Sequence, residues 1–358
     1  MNIDEHRWWK RRGDYRSSPG GLRFSESDQP VVSLGSRGFY QCPAVFIGGS
    51  YGTVTTKPGR NTRIGQRLSA LGSLLLGLLL SSCAVVPPAP APRPPPVVYQ
   101  HIVRRDPPVS IHVVKIDLSD PRVSVHVARG GADPDGDGPW LTTLLPASEI
   151  AEREHYDIAI NGDFFTAQDT KDPTGKNTGY VKGKAAAPVG TAMTDGQLWH
   201  RAETTRPYLE ITSSNQARLA EGELSDPIAP AARQIVGGGQ VIVRDGQAVA
   251  YTGTFATVRH PRTGAGLDQA GTRLTLFVVD GRQPKLSVGM TLAELAEAMI
   301  RLGCDSAINL DGGGSTTLVY RHPRTQKLEV VNSPSDGQER AVADVLGVTV
   351  QAPLPEAK

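Results

Sequence analysis

The sequence predicts an α+β fold: a single domain with a large mixed or antiparallel β-sheet core and a few flanking helices. Short, alternating, β-branched segments follow one another from about residue 108 onwards, whereas only two segments have helical periodicity. The 39 glycines and 28 prolines among 358 residues also indicate a turn-rich chain rather than a helical bundle. We predict that the folded domain spans residues 106–352.

Residues 57–83 are predicted to form a lipoprotein signal peptide. Four basic residues precede an uncharged, leucine-rich run, Leu68–Leu80, which is about as long as a signal-peptide core. Leu80-Ser81-Ser82-Cys83 then resembles a bacterial lipobox, in which the cysteine is lipidated. A buried helix or a short anchor is the alternative. The pattern predicts an exported protein, lipid-anchored at Cys83 in the cell envelope and facing the periplasm or exterior. Because Val85 is not an aspartate, the outer membrane is favoured over the inner.

The segments on either side of the signal peptide have separate interpretations. Residues 1–56 are polar and irregular and have no place upstream of a signal peptide, so we interpret them as a mis-called or disordered leader, with translation beginning near Val54. A cytosolic tail on an uncleaved anchor is the alternative. Residues 84–105 begin with "AVVPPAPAPRPPPVV" and are predicted to be an extended, proline-rich tether.

The domain begins with two predicted strands, "SIHVVKIDL" and "RVSVHVARG", joined by the turn "SDPR". The further predicted strands are 156–161, 208–212, 233–236, 240–244, 248–252, 273–279, 306–310, 316–320, 328–332 and 345–351. A first helix is predicted over 146–155, with Ser148 as its cap. A second is predicted over 291–304, where Thr291 and Glu294 form a capping box and Gly303 suits the C-terminal end.

Charge and cysteine content exclude some classes of function. The formal net charge is +2, but the basic residues are concentrated before residue 68 and the remaining chain is mildly acidic, so nothing indicates a nucleic-acid partner. The three cysteines, Cys42, Cys83 and Cys304, form neither a disulfide framework nor a metal-ligand pattern. Cys304 follows a helix in an apolar setting and is predicted to be a small buried hydrophobe.

Polar residues cluster at the ends of several predicted strands. Taken alone, each cluster could be a turn or a loop. Together they supply carboxylates, guanidinium groups and glycine-rich turns, which suit an anionic, hydroxylated ligand such as a sugar phosphate. The candidate residues are Asn161, Asp163, His260, Arg262, Thr263, Asp280, Arg282, Asn309, Asp311, Gly312, Gly313, Gly314, Ser315, Thr316, Glu339 and Arg340.

The stretch "INLDGGGSTT", residues 308–317, is the most specific of these clusters. Asn309 and Asp311 alternate on a predicted strand, so their side chains share one face. The three glycines that follow can adopt conformations closed to other residues, and their N–H groups could converge into an anion-binding nest. A hairpin does not need three glycines, and the pattern therefore favours a ligand site.

The order of the motifs resembles the phosphodiester glycosidase family, whose catalytic domain type occurs in the mammalian enzyme that uncovers mannose-6-phosphate. The resemblance covers roughly residues 157–350 and rests on "NGDFF", "RHPRTGAG", "VVDGR", "SVGMTLAELA", "LGC" with "AINLDGGGST", and "VNSPSD" with "ER". It implies hydrolysis of a sugar-1-phosphodiester at the anomeric carbon in an envelope or extracellular glycan.

Such chemistry needs a carboxylate near an oxocarbenium-like centre and charge stabilisation of the phosphate leaving group. The resemblance implies Asp311 as the first carboxylate candidate, followed by Asp163 and Asp280. Arg262 and the turn 312–316 would hold phosphate, and His260 or Glu339 would assist proton transfer. Asn161 and Asn309 would bind sugar hydroxyls, with Thr263, Arg282 and Arg340 as further substrate contacts. No cofactor is required, although a divalent cation is compatible with these carboxylates.

Two other functions fit part of the pattern. A non-catalytic envelope lipoprotein could bind an anionic polysaccharide through the same cleft, and its signature would be binding without turnover. A phosphatase or nuclease would attack phosphorus instead of carbon. The sequence offers no histidine pair or two-metal ligand set for that chemistry, so the glycosidase interpretation is preferred.

Overall fold

The computed structural model describes residues 94–168 and 179–358, which form twenty-two strands and three helices. The strands are β1 (Val97–Arg105), β2 (Pro108–Asp117), β3 (Val123–Arg129), β4 (Thr142–Thr143), β5 (Leu145–Pro146), β6 (Ile158–Asn161), β7 (Phe165–Ala167), β8 (Ala185–Pro188), β9 (Ala192–Thr194), β10 (Gln197–His200), β11 (Arg206–Thr212), β12 (Ala217–Gly222), β13 (Ala232–Gly237), β14 (Gln240–Arg244), β15 (Gln247–Ala248), β16 (Arg262–Leu267), β17 (Arg273–Val279), β18 (Ser306–Asn309), β19 (Leu318–Arg321), β20 (Leu328–Val330), β21 (Ala341–Val342) and β22 (Asp344–Val350). The helices are α1 (Ala147–Arg153), α2 (Thr254–Thr257) and α3 (Leu292–Arg301), and a 3₁₀ turn covers Gly313–Ser315.

The strands assemble into three principal sheets and two small ones. The largest has the order β1-β2-β17-β16-β18-β14-β15, and the two five-stranded sheets have the orders β20-β19-β6-β22-β3 and β10-β9-β13-β11-β12. Each pairing between described strands is antiparallel. The predicted α+β class with a β-sheet core is therefore confirmed.

The main core lies between the seven-stranded sheet and the sheet that contains β6 and β22. Alternate residues of each strand point into it, as the two-residue period of a strand requires. Val114 and Ile116 enter the core from β2, and Ile158 and Ile160 enter it from β6, all with almost no exposed surface. The packed sheets bring the ends of strands from both layers to one edge of the sandwich.

Helix α3 covers the outer face of the seven-stranded sheet. Thr291 caps it, its side chain accepting the Glu294 N–H at 3.1 Å while Glu294 accepts the Thr291 N–H at 2.9 Å, so the predicted capping box is confirmed. Its apolar stripe packs with Cys304, which is buried as predicted. The glycine at position 266 of β16 permits this approach, because a Cβ there would lie 2.6 Å from Met299.

Helix α1 covers the outer face of the other core sheet, but its predicted cap is wrong. The helix begins at Ala147 after Pro146, and no side chain of the capping position bonds to it. Instead the distant Glu339 accepts the Ser148 N–H at 2.7 Å and the Ser148 hydroxyl at 2.6 Å. The negative carboxylate therefore satisfies free N–H groups at the positive end of the helix.

Two segments predicted to be irregular are strands. The predicted tether, 84–105, is corrected from residue 97 onwards, because β1 pairs along its whole length with β2. No strand was predicted for the stretch around Arg262, for which a loop was one interpretation, yet β16 lies inside the seven-stranded sheet between β17 and β18. Glycines and polar residues conceal its strand character in the sequence, since its neighbours rather than its own propensity determine its structure.

The N-terminal predictions fall outside the described residues. They comprise the leader 1–56, the signal peptide 57–83 with Cys83, and the tether up to residue 93. Among the residues that are described, no helix has the length and apolar character needed to cross a membrane.

Candidate active site

Six strand ends meet at one edge of the sandwich. The end of β6, at Asn161, lies opposite Val345 near the start of β22. In the seven-stranded sheet, Asn309 at the end of β18 lies opposite both Gln240 at the start of β14 and Gly264 near the start of β16. The end of β13 joins them through the Gly239 N–H, which donates to the Asn309 carbonyl at 2.9 Å. This register brings together polar side chains that are far apart in sequence.

Three carboxylates and one guanidinium occupy the centre of this edge. Asp163 is buried, and its two oxygens accept the N–H groups of Phe164, at 2.8 Å, and Gly190. Its own N–H donates to Asp344 Oδ1 at 2.8 Å. The charges of Asp311 and Arg206 also act on Asp163. The group is therefore a compact set of acids beside one buried cation.

Burial controls the protonation of these acids. Burial raises the pKa of Asp163 to about 7, the nearby Asp311 adds to the rise, and the Gly190 N–H and Arg206 oppose it. Burial also raises the pKa of Asp344, and the charges of Asp163 and Asp311 act in the same direction. Close carboxylates in a dry setting cannot all ionise near neutrality, so the site retains a proton that it can donate.

Asp344 and Arg206 were not predicted from the sequence. Asp344 had a visible signal, because a carboxylate interrupts the apolar run "AVADVLGV", and buried charges of this kind need a partner or a role. Arg206 begins β11 in the third principal sheet, β10-β9-β13-β11-β12. Its approach to Asp163 depends on how the sheets pack, which no local pattern encodes.

The turn after β18 carries buried hydroxyls that have no hydrogen-bond partner among the described residues. These are the hydroxyls of Ser315, Thr316 and Thr317, and the same is true of Asn309 Oδ1, His260 Nδ1 and Asp344 Oδ2. Buried polar atoms are nearly always satisfied in folded proteins. The concentration of unsatisfied ones at a single edge makes this edge the candidate ligand site.

The backbone of the turn requires glycine at its three glycine positions, and the N–H groups of Gly312 and Gly313 do not take part in the predicted anion nest. Gly313 has φ +62°, a Cβ at Gly312 would lie 2.8 Å from the Pro261 carbonyl, and a Cβ at Gly314 would overlap Arg340 and Asp336. The N–H of Gly312 donates to Asp311 Oδ1 at 2.8 Å, and that of Gly313 donates to the Pro261 carbonyl at 3.0 Å. These two N–H groups are thus used inside the turn, whereas the buried hydroxyls that follow have no partner among the described residues.

Asn161 and Thr263 connect the two core sheets instead of facing solvent. Asn161 Oδ1 accepts the Thr263 hydroxyl at 2.7 Å and the Thr317 N–H at 3.1 Å, while its Nδ2 donates to the Asp311 carbonyl at 2.7 Å. Both side chains are fully buried. The expected binding of sugar hydroxyls by Asn161 and of substrate by Thr263 is therefore replaced by a supporting role.

Arg262 does not line the site as expected of a phosphate ligand. Its side chain is only 1% exposed, and its guanidinium donates to the carbonyls of Met290, at 3.2 Å, Phe255 and Val258, at 3.2 Å. It also lies 4.5 Å from the centre of the Phe255 ring. Arg262 therefore holds helix α2 and the segment before α3 in place.

Cationic groups surround the turn instead. A Cβ at Gly313 would lie 3.0 Å from the exposed guanidinium of Arg282, and Arg340 packs over Tyr180 while donating to Asp336 at 2.8 Å. Burial lowers the pKa of His260 to about 4, with Arg262 and Arg282 acting in the same direction, so this imidazole is neutral at pH 7. The rim is therefore suited to an anion next to neutral hydrogen-bonding groups.

Two of the predicted acids lie behind the site. Asp280 Oδ1 accepts from Asn332 Nδ2 at 3.1 Å and from the Ser333 N–H at 2.8 Å, and its Oδ2 lies 3.7 Å from His112 Nε2. Asn332 Nδ2 also donates to the Thr316 carbonyl at 3.0 Å. Asp280 therefore supports the hydroxyl turn, and Glu339, as described above, caps α1.

A metal ion has no evident set of ligands in the described part of the chain. Within residues 94–168 and 179–358, no three or more His, Cys, Asp or Glu side chains are arranged so that they could hold one. The chemistry considered below uses the side chains themselves.

The fold and site define a β-sandwich protein with an acidic, hydroxyl-rich centre and a basic rim. The phosphodiester glycosidase family model matches residues 154–349, more than half of the chain, and the chain belongs to this family. The matched span contains the central acids Asp163, Asp311 and Asp344. The family resemblance predicted from the motifs is thereby confirmed.

Among curated proteins, the chain is 29% identical over 180 residues to mouse N-acetylglucosamine-1-phosphodiester alpha-N-acetylglucosaminidase, covering 43% of this chain and 34% of the relative. It is 33% identical over 187 residues to the cattle enzyme of that name, covering 48% and 32%. The chain thus spans about a third of the length of these relatives. The solved catalytic domain of the zebrafish enzyme, auto-inhibited by its pro-peptide, matches with TM-score 0.49 and 23% identity over 71% of this chain and 82% of that one.

Proposed function

We propose that the protein is a hydrolase that cleaves a sugar-1-phosphodiester in an envelope or extracellular glycan. The observation that carries the proposal is the group of unpartnered buried polar atoms beside Asp163 and Asp311. Acids of this kind suit a reacting anomeric carbon, and the hydroxyls with the basic rim suit the phosphate attached to it. Family membership agrees with hydrolysis of a phosphodiester of a sugar.

In the proposed reaction, water adds to the anomeric carbon and the bond from that carbon to the phosphate oxygen breaks. The products are the free sugar and a phosphomonoester. Asp311 is the carboxylate assigned to the developing positive charge on the sugar. Asp163, whose pKa of about 7 allows both protonation states near neutrality, transfers the proton.

The leaving group needs charge stabilisation more than a strong acid, because a phosphomonoester is already a weak base. Arg282, exposed beside Gly313, is assigned to its negative charge. The hydroxyls of Ser315, Thr316 and Thr317 donate to its oxygens. His260, being neutral at pH 7, contributes a hydrogen bond rather than a charge.

The proposal also covers where the protein is located in the cell. The signal peptide 57–83 and Cys83 would export the chain and attach it by lipid to the cell envelope, with the outer membrane favoured and the domain facing the periplasm or exterior. A tether of residues 84–96 would then separate the membrane from β1. A glycan of the envelope or its surroundings would be within reach of the site.

The test is hydrolysis of sugar-1-phosphodiesters by the purified protein in ¹⁸O-labelled water. Cleavage at carbon places the label on the sugar, whereas a phosphatase or nuclease would place it on phosphate. We expect Asp311→Asn to lower kcat/KM by at least about a hundredfold. The matched control is Asp245→Asn, because Asp245 is exposed and its φ of +51° is also tolerated by asparagine.

The outcomes separate the candidate functions. Full activity in Asp311→Asn would contradict the assigned site, and label on phosphate would contradict the glycosidase. Tight binding of an anionic polysaccharide with no turnover of any sugar-1-phosphodiester would instead support the non-catalytic envelope lipoprotein.

A further inference from the structure

Two phenylalanines beside the acids have no role in the reaction as proposed. Phe164 directly follows Asp163 and is only half-buried, and its N–H donates to Asp163 Oδ1 at 2.8 Å. Phe255, also half-buried, meets it edge to face, with ring centroids 6.1 Å apart and an interplanar angle of 62°. We call this pair the aromatic wall.

Phe164 is held against a backbone that has no side chain. A Cβ at Gly239 would lie 2.7 Å from the Phe164 ring, so only glycine allows the ring to lie there. The Gly239 N–H donates to the Asn309 carbonyl at 2.9 Å. The ring is therefore placed one hydrogen bond away from Asn309, whose Oδ1 has no partner among the described residues.

Phe255 is fixed from below by a buried charge. The guanidinium of Arg262 lies 4.5 Å from the ring centre and donates to the carbonyls of Phe255 and Val258. A four-residue helix such as α2 would have little stability alone, and a buried cation is costly unless it is well bonded. Arg262 therefore makes the aromatic wall a rigid surface.

We propose that the aromatic wall is the subsite for the pyranose ring of the substrate, with Phe164 under the apolar face of the sugar. The inference rests on the proposed function, and it names which part of the substrate binds where. A pyranose presents C–H groups on one face and hydroxyls around its edge. The partly exposed ring of Phe164, which Gly239 connects to the residue carrying the unpartnered Asn309 Oδ1, matches both surfaces.

Binding of two phosphate monoesters tests the subsite without requiring turnover. Glucose 1-phosphate carries the ring, and glycerol 1-phosphate carries an equivalent phosphate without one. We expect wild-type protein to prefer glucose 1-phosphate. Phe164→Leu keeps an apolar side chain but removes the ring, and it should weaken glucose 1-phosphate binding about tenfold while leaving glycerol 1-phosphate unchanged. Titration calorimetry measures both dissociation constants.

Two further variants distinguish loss of the aromatic ring from a defect in folding. Phe164→Trp restores an aromatic face and should recover at least half of the lost preference. Leu224→Ala truncates a side chain that is 66% exposed and should change neither ligand. Thermal unfolding of each variant shows whether the protein remains folded at the temperature of the titration.

The results distinguish the subsite from the reaction. Equal effects of Phe164→Leu on both ligands, no effect on either, or a wild type that does not prefer the sugar would each overturn the aromatic wall as a sugar subsite. Hydrolysis of sugar-1-phosphodiesters without ring-selective binding leaves the proposed function and removes only the subsite. Ring-selective binding without hydrolysis supports the subsite and contradicts the proposed hydrolase function.

Discussion

At the scale of single residues, the site is built from groups that cost the fold stability. Thr316 is 1% exposed and its hydroxyl has no partner, whereas the hydroxyl of the equally buried Thr263 donates to Asn161. An unsatisfied buried hydroxyl costs about 1–3 kcal/mol, but a bonded one contributes roughly 1 kcal/mol. Thr316 is therefore assigned to ligand binding, and Thr263 is assigned to support of the fold.

This contrast gives a paired prediction for substitution by valine. Thr316→Val should raise the free energy of unfolding by about 1 kcal/mol and lower kcat/KM at least about tenfold. Thr263→Val should lower the free energy of unfolding by about 1 kcal/mol. Urea denaturation and steady-state kinetics measure the two effects. A Thr316→Val protein that is less stable than wild type would show that its hydroxyl is bonded within the fold.

The raised pKa of Asp163 gives a second prediction, which concerns how the free energy of unfolding depends on pH. Burial raises the pKa of Asp163 to about 7, well above the ordinary value of an aspartate, so near neutrality the folded state holds a proton that the unfolded chain releases. The resulting stability is fully present below about pH 4 and is lost as the pH rises from there to about 7. The expected loss approaches about 1.4 kcal/mol per pH unit within that window.

The comparison of wild type with Asp163→Asn isolates this effect. Asparagine does not titrate, so the difference in unfolding free energy between the two proteins should change between pH 4 and 7. Urea denaturation at several pH values measures it. If the unfolding free energies of the two proteins changed in parallel between pH 4 and 7, Asp163 would ionise with an ordinary pKa.

Sequence reasoning selected several residues that the fold brings to one edge, but some of them make other contacts than those predicted. Asp311, Asp163 and the hydroxyl turn meet as the motif order suggested. Arg262 bonds to backbone carbonyls, and Asp344 was missed, because burial and proximity follow from the register of β22 against β6. Residue type shows what a side chain can do, whereas packing decides whether it faces a ligand.

At the scale of elements, the N-terminus of α1 provides a third prediction. Glu339 was expected to assist proton transfer, yet both its oxygens accept from Ser148. Glu339→Gln places an amide NH₂ against these donors and should lower the free energy of unfolding by about 1 kcal/mol. The kcat of the folded protein should not change.

The matched control is Glu152→Gln in the same helix, because Glu152 is exposed. Chemical denaturation and kcat should both remain at wild-type values in that variant. If Glu339→Gln instead lost most of its kcat at unchanged stability, the proton-transfer role implied by the family resemblance would be restored.

The elements that sequence reasoning found are those whose local pattern agrees with their final environment. Strands β2, β3 and β17 are rich in aliphatic and β-branched residues, and α3 has a cap and a stripe. Strand β16 was missed because "RTGAGL" lacks β-branched side chains, although its glycines are what allow α3 to approach. Its structure depends on its neighbours, as strand propensity commonly does.

At the scale of the whole molecule, the sandwich supplies a rigid frame and the strand ends supply the chemistry. Asn161, Thr263 and the Thr317 backbone bond the two core sheets directly beneath the acids. The site is therefore positioned by regular structure on both sides, which favours accurate placement of reacting groups. The role proposed for residues 57–83 is delivery of this domain to the cell envelope.

That delivery gives the final prediction. If residues 57–83 are a lipoprotein signal peptide, the full chain expressed in a bacterial host should incorporate labelled palmitate and sediment with membranes. Cys83→Ala should lose the label, because the thiol of Cys83 is the proposed attachment point. Cys42→Ser is the matched control and should behave as wild type, since Cys42 lies upstream of the proposed cleavage site and would be absent from the mature protein. Retained label in Cys83→Ala, or peptides from residues 1–50 in the purified protein, would contradict both the anchor and the interpretation of the leader.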